Sequence, residues 1–132
     1  MHTVKRILVA VAGKGSHDEL RSRLLSSFYR SSPLSFEIIF LRIMPEHISD
    51  EEVERERHEL ENLARDEVPT TPSIRVERSS QIVPTITELA EQADLLVLGL
   101  QRLGRHRKLF GQIAFEILQK TNCPTIMISH RG

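Results

Sequence analysis

The sequence predicts an α/β fold in which a parallel sheet carries helices on both faces. Three observations point there. Apolar runs rich in Val, Ile and Leu stand at 7–11, 36–43 and 94–100 without in–out alternation, the pattern of strands covered on both sides. Segments with helical spacing of apolar residues lie between them. The links are short, so the order reads βαβαβαβαβ, and such alternation with right-handed crossovers leaves few topologies other than a parallel sheet. At 132 residues the chain is expected to form one domain spanning 1–132.

Each element has its own signal. The run at 7–11, "ILVAV", reads as the first strand. Ser16 with Glu19 three residues on forms a capping box, and Leu20, Leu24 and Phe28 continue as one helical stripe until Pro33 stops it. After the strand at 36–43, Ser49 and Glu52 form a second box. The helix it opens has a narrow stripe of Val53, Leu60, Leu63 and Ala64 amid dense charge, which is expected to face solvent and to pair Glu51 with Arg55 and Glu61 with Arg65. "SIRVERS" at 73–79 alternates and suits a sheet edge. A third helix is expected from Ile82 to Gln92, with Ile82, Ile86, Leu89, Ala90 and Ala93 inward and Pro84 tolerated in the first turn. After the strand at 94–100, a fourth helix is expected from about Gly111 to Lys120 with Ile113, Ala114, Ile117 and Leu118 inward. "PTIMIS" at 124–129 makes the last strand, and Pro124 fits its first position because no ladder donor is needed there.

Composition narrows the function. With 39% hydrophobic and 27% charged residues and zero formal net charge, the chain reads as a soluble globular protein without whole-chain attraction to nucleic acid. No apolar run approaches the roughly 20 residues of a spanning helix. The N-terminus reaches a Gly-Lys-Gly turn rather than a small-residue cleavage site, and a single cysteine forms no internal disulfide, so a cytoplasmic location is expected. The six histidines lack ligand spacing and one Cys cannot complete a zinc site, so no metal is expected. Cys123 reads as a buried thiol, and a redox role lacks a second Cys or a cationic neighbour. No G-x-S-x-G elbow is present, and the carboxylates crowd onto the second helix, where raised pKa values for acid–base work are hard to produce. No catalytic residue is assigned, and a non-enzymatic protein is expected.

Taken together, "KRILVAV", "ADLLVLG" ahead of a Gly-rich loop, "FGQIAFEIL" and the closing "NCPTIMIS" resemble the universal stress protein family from end to end. The resemblance implies an open, doubly wound, flavodoxin-like (adenine-nucleotide-hydrolase-like) five-stranded sheet of order 3-2-1-4-5, and the last strand at an edge where related domains commonly dimerise. It also implies where a nucleotide would sit. Nucleotide-binding members carry an acid after the first strand and a loop reading G-x-x-G, nine residues, then G-[ST]. Here Ala12 stands where the acid is expected, Gly99 matches the first glycine, Arg102 replaces the second, Gly104 is displaced, and Gly111 is followed by Gln112 instead of a hydroxyl residue. Arg102 adopts positive φ poorly, and the missing hydroxyl and carboxylate remove contacts to phosphate and nucleoside.

The stretch 99–112 therefore admits several readings. A solvated loop is the ordinary one for a run of charge. A residual anion site is the second: beyond the carboxyl ends of strands one and four, Gly13, Gly99, Gly104 and Gly111 would give the backbone room, and Lys14, Arg102 and Arg105 would hold phosphate beside Gln112, with ATP or another adenine nucleotide as ligand. The third is docking. The "LGLQR" to "LFG" spelling and the ending "ISHRG" look like stress-protein-type cytoplasmic tails of bacterial transporters, including amino-acid permeases and cation-coupled carriers. There the loop would face acidic lipid or a neighbouring cytoplasmic surface. The expected function is thus a regulatory and interaction domain with a degraded ATP motif and no obligate cofactor, homodimeric through strand 124–129; the alternative is an adenine-nucleotide-binding stress sensor.

Overall fold

Strands and helices alternate along the chain as β1 (Arg6–Val11), α1 (Glu19–Ser31), β2 (Glu37–Met44), α2 (Asp50–Glu67), β3 (Ser73–Arg78), α3 (Ile82–Ala90), β4 (Leu95–Leu100), α4 (Arg107–Lys120) and β5 (Thr125–Ser129). The structure, a computed structural model, describes residues 5–11, 19–31, 37–68, 71–100 and 107–129. All strand pairs are parallel and the order is β3-β2-β1-β4-β5, as the resemblance implies. The chain winds outward from β1 to β3, then returns to the other side of β1 for β4 and β5.

Alternate residues of the central strands feed two cores. On one face Ile7, Val9, Val11, Ile38, Phe40, Leu95 and Val97 pack with Leu25 of α1 and Leu60, Leu63 and Ala64 of α2. On the other face Leu8, Ala10, Leu41, Leu96 and Leu98 pack with Val83, Ile86 and Ala90 of α3 and Ala114 and Ile117 of α4. Burying each such aliphatic side chain is worth roughly 1.5–3 kcal/mol, and β1 and β4 supply residues to both cores.

The edges differ. On β3, Ile74 and Val76 pack against the first core, while Arg75, Glu77 and Arg78 carry charge. On β5, Ile128 is buried and Met127 is 44% exposed.

Helix starts follow the local chemistry where it can be checked. The Ser49 hydroxyl accepts from the Glu52 backbone N–H at 3.2 Å, as the capping box requires. Ser16 lies outside the described residues. Pro84 is the third residue of α3 and disturbs no ladder bond. The inward stripe of α3 is Val83, Ile86 and Ala90, with Leu89 and Ala93 partly buried; Ile82, expected inside, is 43% exposed. One residue is about 100° of helix rotation, so a stripe begun at Val83 instead of Ile82 points Ile82 to solvent. On α4, Ala114 and Ile117 are buried as expected, but Leu118 is exposed and Phe115 more so.

The charged face of α2 is not wholly solvated. Arg21 of α1 meets Glu67 through two hydrogen bonds, Nε to Oε1 at 2.5 Å and Nη2 to Oε2 at 2.6 Å, with both side chains buried. The guanidinium also lies 6.0 Å from the centroid of the Phe40 ring, within cation–π range. Ser22 donates to the Glu67 carbonyl at 2.9 Å. Arg42 of β2 donates to Glu56 at 2.6 Å, again with little exposure. The i,i+4 pair Glu61–Arg65 forms on the outer surface.

At the amino ends of β1 and β4, Asp94 Oδ2 accepts from the backbone N–H groups of Lys5 at 2.8 Å and Arg6 at 2.9 Å, and Asp94 N–H donates to the Arg6 carbonyl at 2.8 Å. The two backbone donors hold the Asp94 carboxyl below its ordinary value. Because the folded-state pKa is depressed, its stabilisation is present above the unfolded pKa and is lost as pH falls through the folded one. Asp94 is exposed and solvent screens its charge, so Asp94→Asn is expected to lower stability by only about half a kcal/mol or less at pH 7 in urea denaturation, with the gap to wild type narrowing only below about pH 4. A gap that stays constant down to pH 3 would contradict this role.

Candidate functional site

In an open parallel sheet the ligand site lies beyond the carboxyl ends of the strands, where the winding reverses. Here that point is between β1 and β4. Val11, the last residue of β1, is the register partner of Gly99 in β4, and Gly99 in turn partners Ile128 of β5. The carboxyl ends of β1 and β4, at Val11 and Leu100, thus lie side by side at this rim. Gly99 lies at this rim. Gly13, Lys14, Arg102, Gly104 and Arg105 lie outside the described residues.

Gly111 and Gln112 differ from expectation. The fourth helix begins at Arg107, not near Gly111, so these two are its fifth and sixth residues. Arg, Lys and Leu are good helix formers, and the "RKLF" tetrad extends the helix backward over what the glycine pattern suggests is loop. The first four N–H groups of a helix are unpaired, and the fifth is the first to bond within it. At that position the N–H of Gly111 is committed to the helix ladder and is not offered to a ligand. The N–H groups at this end of α4 that lack an intrahelical partner belong instead to the turn that opens with Arg107 and Lys108.

The rim holds one group that spacing did not single out. Arg42 follows Leu41, whose partner in β1 is Ala10, so Arg42 is level with Val11. Its Nη1 is engaged by Glu56, but its Nε is buried with no hydrogen-bond partner among the described residues. A cation inside the otherwise apolar run "FLRIM" is a signal readable in the sequence, since a buried charge demands a partner. At the carboxyl end of β3, Ser79 N–H donates to the Met44 carbonyl at 2.9 Å, and the Ser79 hydroxyl accepts from Gln81 N–H at 3.0 Å and from the Thr85 hydroxyl at 2.9 Å. The start of α3 is thereby tied down by its own chain.

Other chemistry is sparse. No group of three His, Cys, Asp or Glu residues among the described residues is arranged to hold a metal ion. Burial, and after it the nearby Asp94 carboxylate, pushes the Cys123 thiol up from its ordinary value, the opposite of an activated thiolate. Among the described residues no helix is long and apolar enough to cross a membrane.

The universal stress protein family model matches residues 23–129. Among solved structures, a universal stress protein in complex with cAMP superposes with a TM-score of 0.69 at 14% identity, covering 97% of this chain and 98% of that one. The universal stress protein from Archaeoglobus fulgidus in complex with dAMP gives 0.67 at 20% identity, covering 94% and 97%. A family member from Arabidopsis thaliana with AMP bound gives 0.65 at 18% identity, covering 97% and 93%. At these identities the likeness bears on the fold. No curated protein matches the chain in sequence.

The position of Gly111 can be checked directly. Inside a helix a glycine is worse than alanine by roughly 0.5–1 kcal/mol, whereas alanine at a loop position with positive φ destabilises. Gly111→Ala is expected to raise the thermal midpoint; a lowered midpoint with an unchanged circular dichroism spectrum would return Gly111 to a loop.

Proposed function

The chain belongs to the universal stress protein family, and from that premise we propose that it is a non-enzymatic regulatory and interaction domain in which the family's ATP-binding motif no longer operates. The observation that carries this reading is the place of Gly111 and Gln112 inside α4, where the glycine N–H is bonded within the helix and the residue after it offers no hydroxyl. Ala12 in place of an acid removes the nucleoside acceptor that the motif implies. Regulation then runs through surfaces. Strand β5 offers an apolar edge for a second copy, and the basic segment between β4 and α4 offers positive charge to a transporter's cytoplasmic side or the anionic lipid beside it, with the domain on the cytoplasmic face.

A second reading is favoured by one observation, the Val11–Gly99 pairing. It starts the Lys14-bearing and Arg102-bearing segments from neighbouring strand ends, where an adenine nucleotide's phosphates would find positive charge. The relatives solved with cAMP, dAMP and AMP support this sensor reading by analogy.

Calorimetric titration with ATP and AMP, each with and without magnesium, separates the two. The regulatory reading expects no saturable binding below about 1 mM. Micromolar binding that disappears in Lys14→Ala and Arg102→Ala would establish the sensor reading in its place. For the self-association surface, Met127→Lys puts a charge on the exposed β5 edge and is expected to shift the chain from dimer to monomer in sedimentation velocity. An equal sedimentation coefficient for the two proteins would remove β5 as the interface.

A further inference from the structure

Three of the four exposed large apolar side chains among the described residues, Phe115, Leu118 and Met127, fall on the consecutive elements α4 and β5. Their directions converge. Met127 is the register partner of Leu98, which packs in the second core, so it points to the face of the sheet that α3 and α4 cover. On α4, Ala114 and Ile117 face the sheet, and Ile113 packs beside them. At about 100° per residue, Leu118 lies on the flank of α4 opposite Ile113, with Phe115 further around that flank. The right-handed crossover from β4 to β5 turns this flank away from α3 and toward the open edge. The three side chains thus share one apolar strip along β5.

Charge and size both point to a second copy as the cover. Glu116 and Lys120 sit on the other side of α4, and Gln119 borders Phe115. A twofold axis sets side chains near their own counterparts, so like charges there would repel, and an uncharged strip avoids this. An anionic membrane would call for basic residues around the strip, where Gln119 stands instead. Strand β5 has only five residues, about 17 Å of backbone. Edge pairing over that length hides far less than the roughly 800 Å² per partner of a stable interface, and the helix flank supplies the apolar area that the strand lacks.

Two twofold arrangements set one β5 beside another. An axis along the strands pairs them parallel and turns the second sheet over, which separates the two α4 helices. An axis normal to the sheet pairs them antiparallel and keeps both α4 helices on one face. Each α4 packs on β4 through Ala114 and Ile117, so in the second arrangement the helices stand three strand spacings apart, about 14 Å. Helices about 10–12 Å across then leave a slot a few ångström wide above the two Met127 side chains. We propose, resting on the reading that the chain pairs through β5, that it does so about the axis normal to the sheet, with Phe115 and Leu118 of both copies closing this slot over Met127. The strand sets the alignment, and the helix flank supplies most of the adhesion.

The test is sedimentation equilibrium of the whole chain beside Phe115→Ser, Leu118→Ser and Met127→Lys. Phe115 is 59% exposed, so its replacement leaves the core intact, and an unchanged circular dichroism spectrum verifies the fold. Phe115→Ser and Leu118→Ser are each expected to raise the dimer dissociation constant at least about tenfold. In a Cys123→Ser background, Phe115→Cys is expected to cross-link between copies with a short bis-maleimide, because only the axis normal to the sheet brings the two positions together. A dimer that Met127→Lys disperses but both α4 variants leave at wild-type strength would overturn the inference while pairing through β5 stands. So would a dimer in which Phe115→Cys fails to cross-link. A wild-type chain that stays monomeric up to about 100 µM would overturn both.

Discussion

Parallel pairing of β1 with β4, two strands that are apolar on both faces, is the constraint from which the rest follows. Ile7, Val9 and Val11 need cover on one side, and Leu8 and Ala10 on the other. Leu95 and Val97 against Leu96 and Leu98 repeat the demand next door. Helices must therefore sit above and below. A chain that has used one side of β1 for β2 and β3 must cross to the other side to place β4. That crossing puts the strand ends at Val11 and Gly99 together on one rim, and at Arg6 and Asp94 together on the other. The candidate site occupies the first of these two rims.

Electrostatics completes what apolar burial leaves open on α2. The helix has a narrow apolar stripe, and Leu60, Leu63 and Ala64 cover only its second half. Ion pairs from three other elements hold the remainder: Arg21 of α1 to Glu67, Arg42 of β2 to Glu56, and Arg78 of β3 to Asp50. These are not equivalent. The Asp50 pair is exposed and worth little. The Arg21–Glu67 pair is buried and bidentate, so its attraction is set against a large desolvation cost, and removing one partner would strand a charge in the core. Such pairs define where a helix lies more than how firmly it is held.

Much of this was legible in the sequence. Strand positions were readable because full burial leaves an unbroken apolar run, and the start of α2 was readable because Ser49 and Glu52 satisfy a local requirement. The edge position of β3 followed from the alternation of charge with Ile74 and Val76. What failed depends on neighbours. Ile82 and Val83 are equally apolar, and only the angle at which α3 meets the sheet decides which faces inward. Leu118 fits a helical stripe as well as Ala114 does, but the space beneath α4 is taken by Ala114 and Ile117. Glu67 reads as surface because nothing within a helical turn announces Arg21, 46 residues away. At the candidate site the glycine pattern suggests a loop as far as Gly111, and the helix-forming residues before it prevail.

The two borders of the sheet are unlike, and under the proposed pairing through β5 the difference limits how large an assembly can become. β3 ends the sheet with Arg75, Glu77 and Arg78, whereas β5 ends it with Ile126, Met127 and Ile128. Growth into a fibre needs two adhesive borders, so that each added molecule exposes a fresh one. A molecule with one adhesive border and one that repels strand addition has no means of elongation. When two such molecules meet across a twofold axis, each caps the other, and polymerisation stops at its first step even in crowded solution.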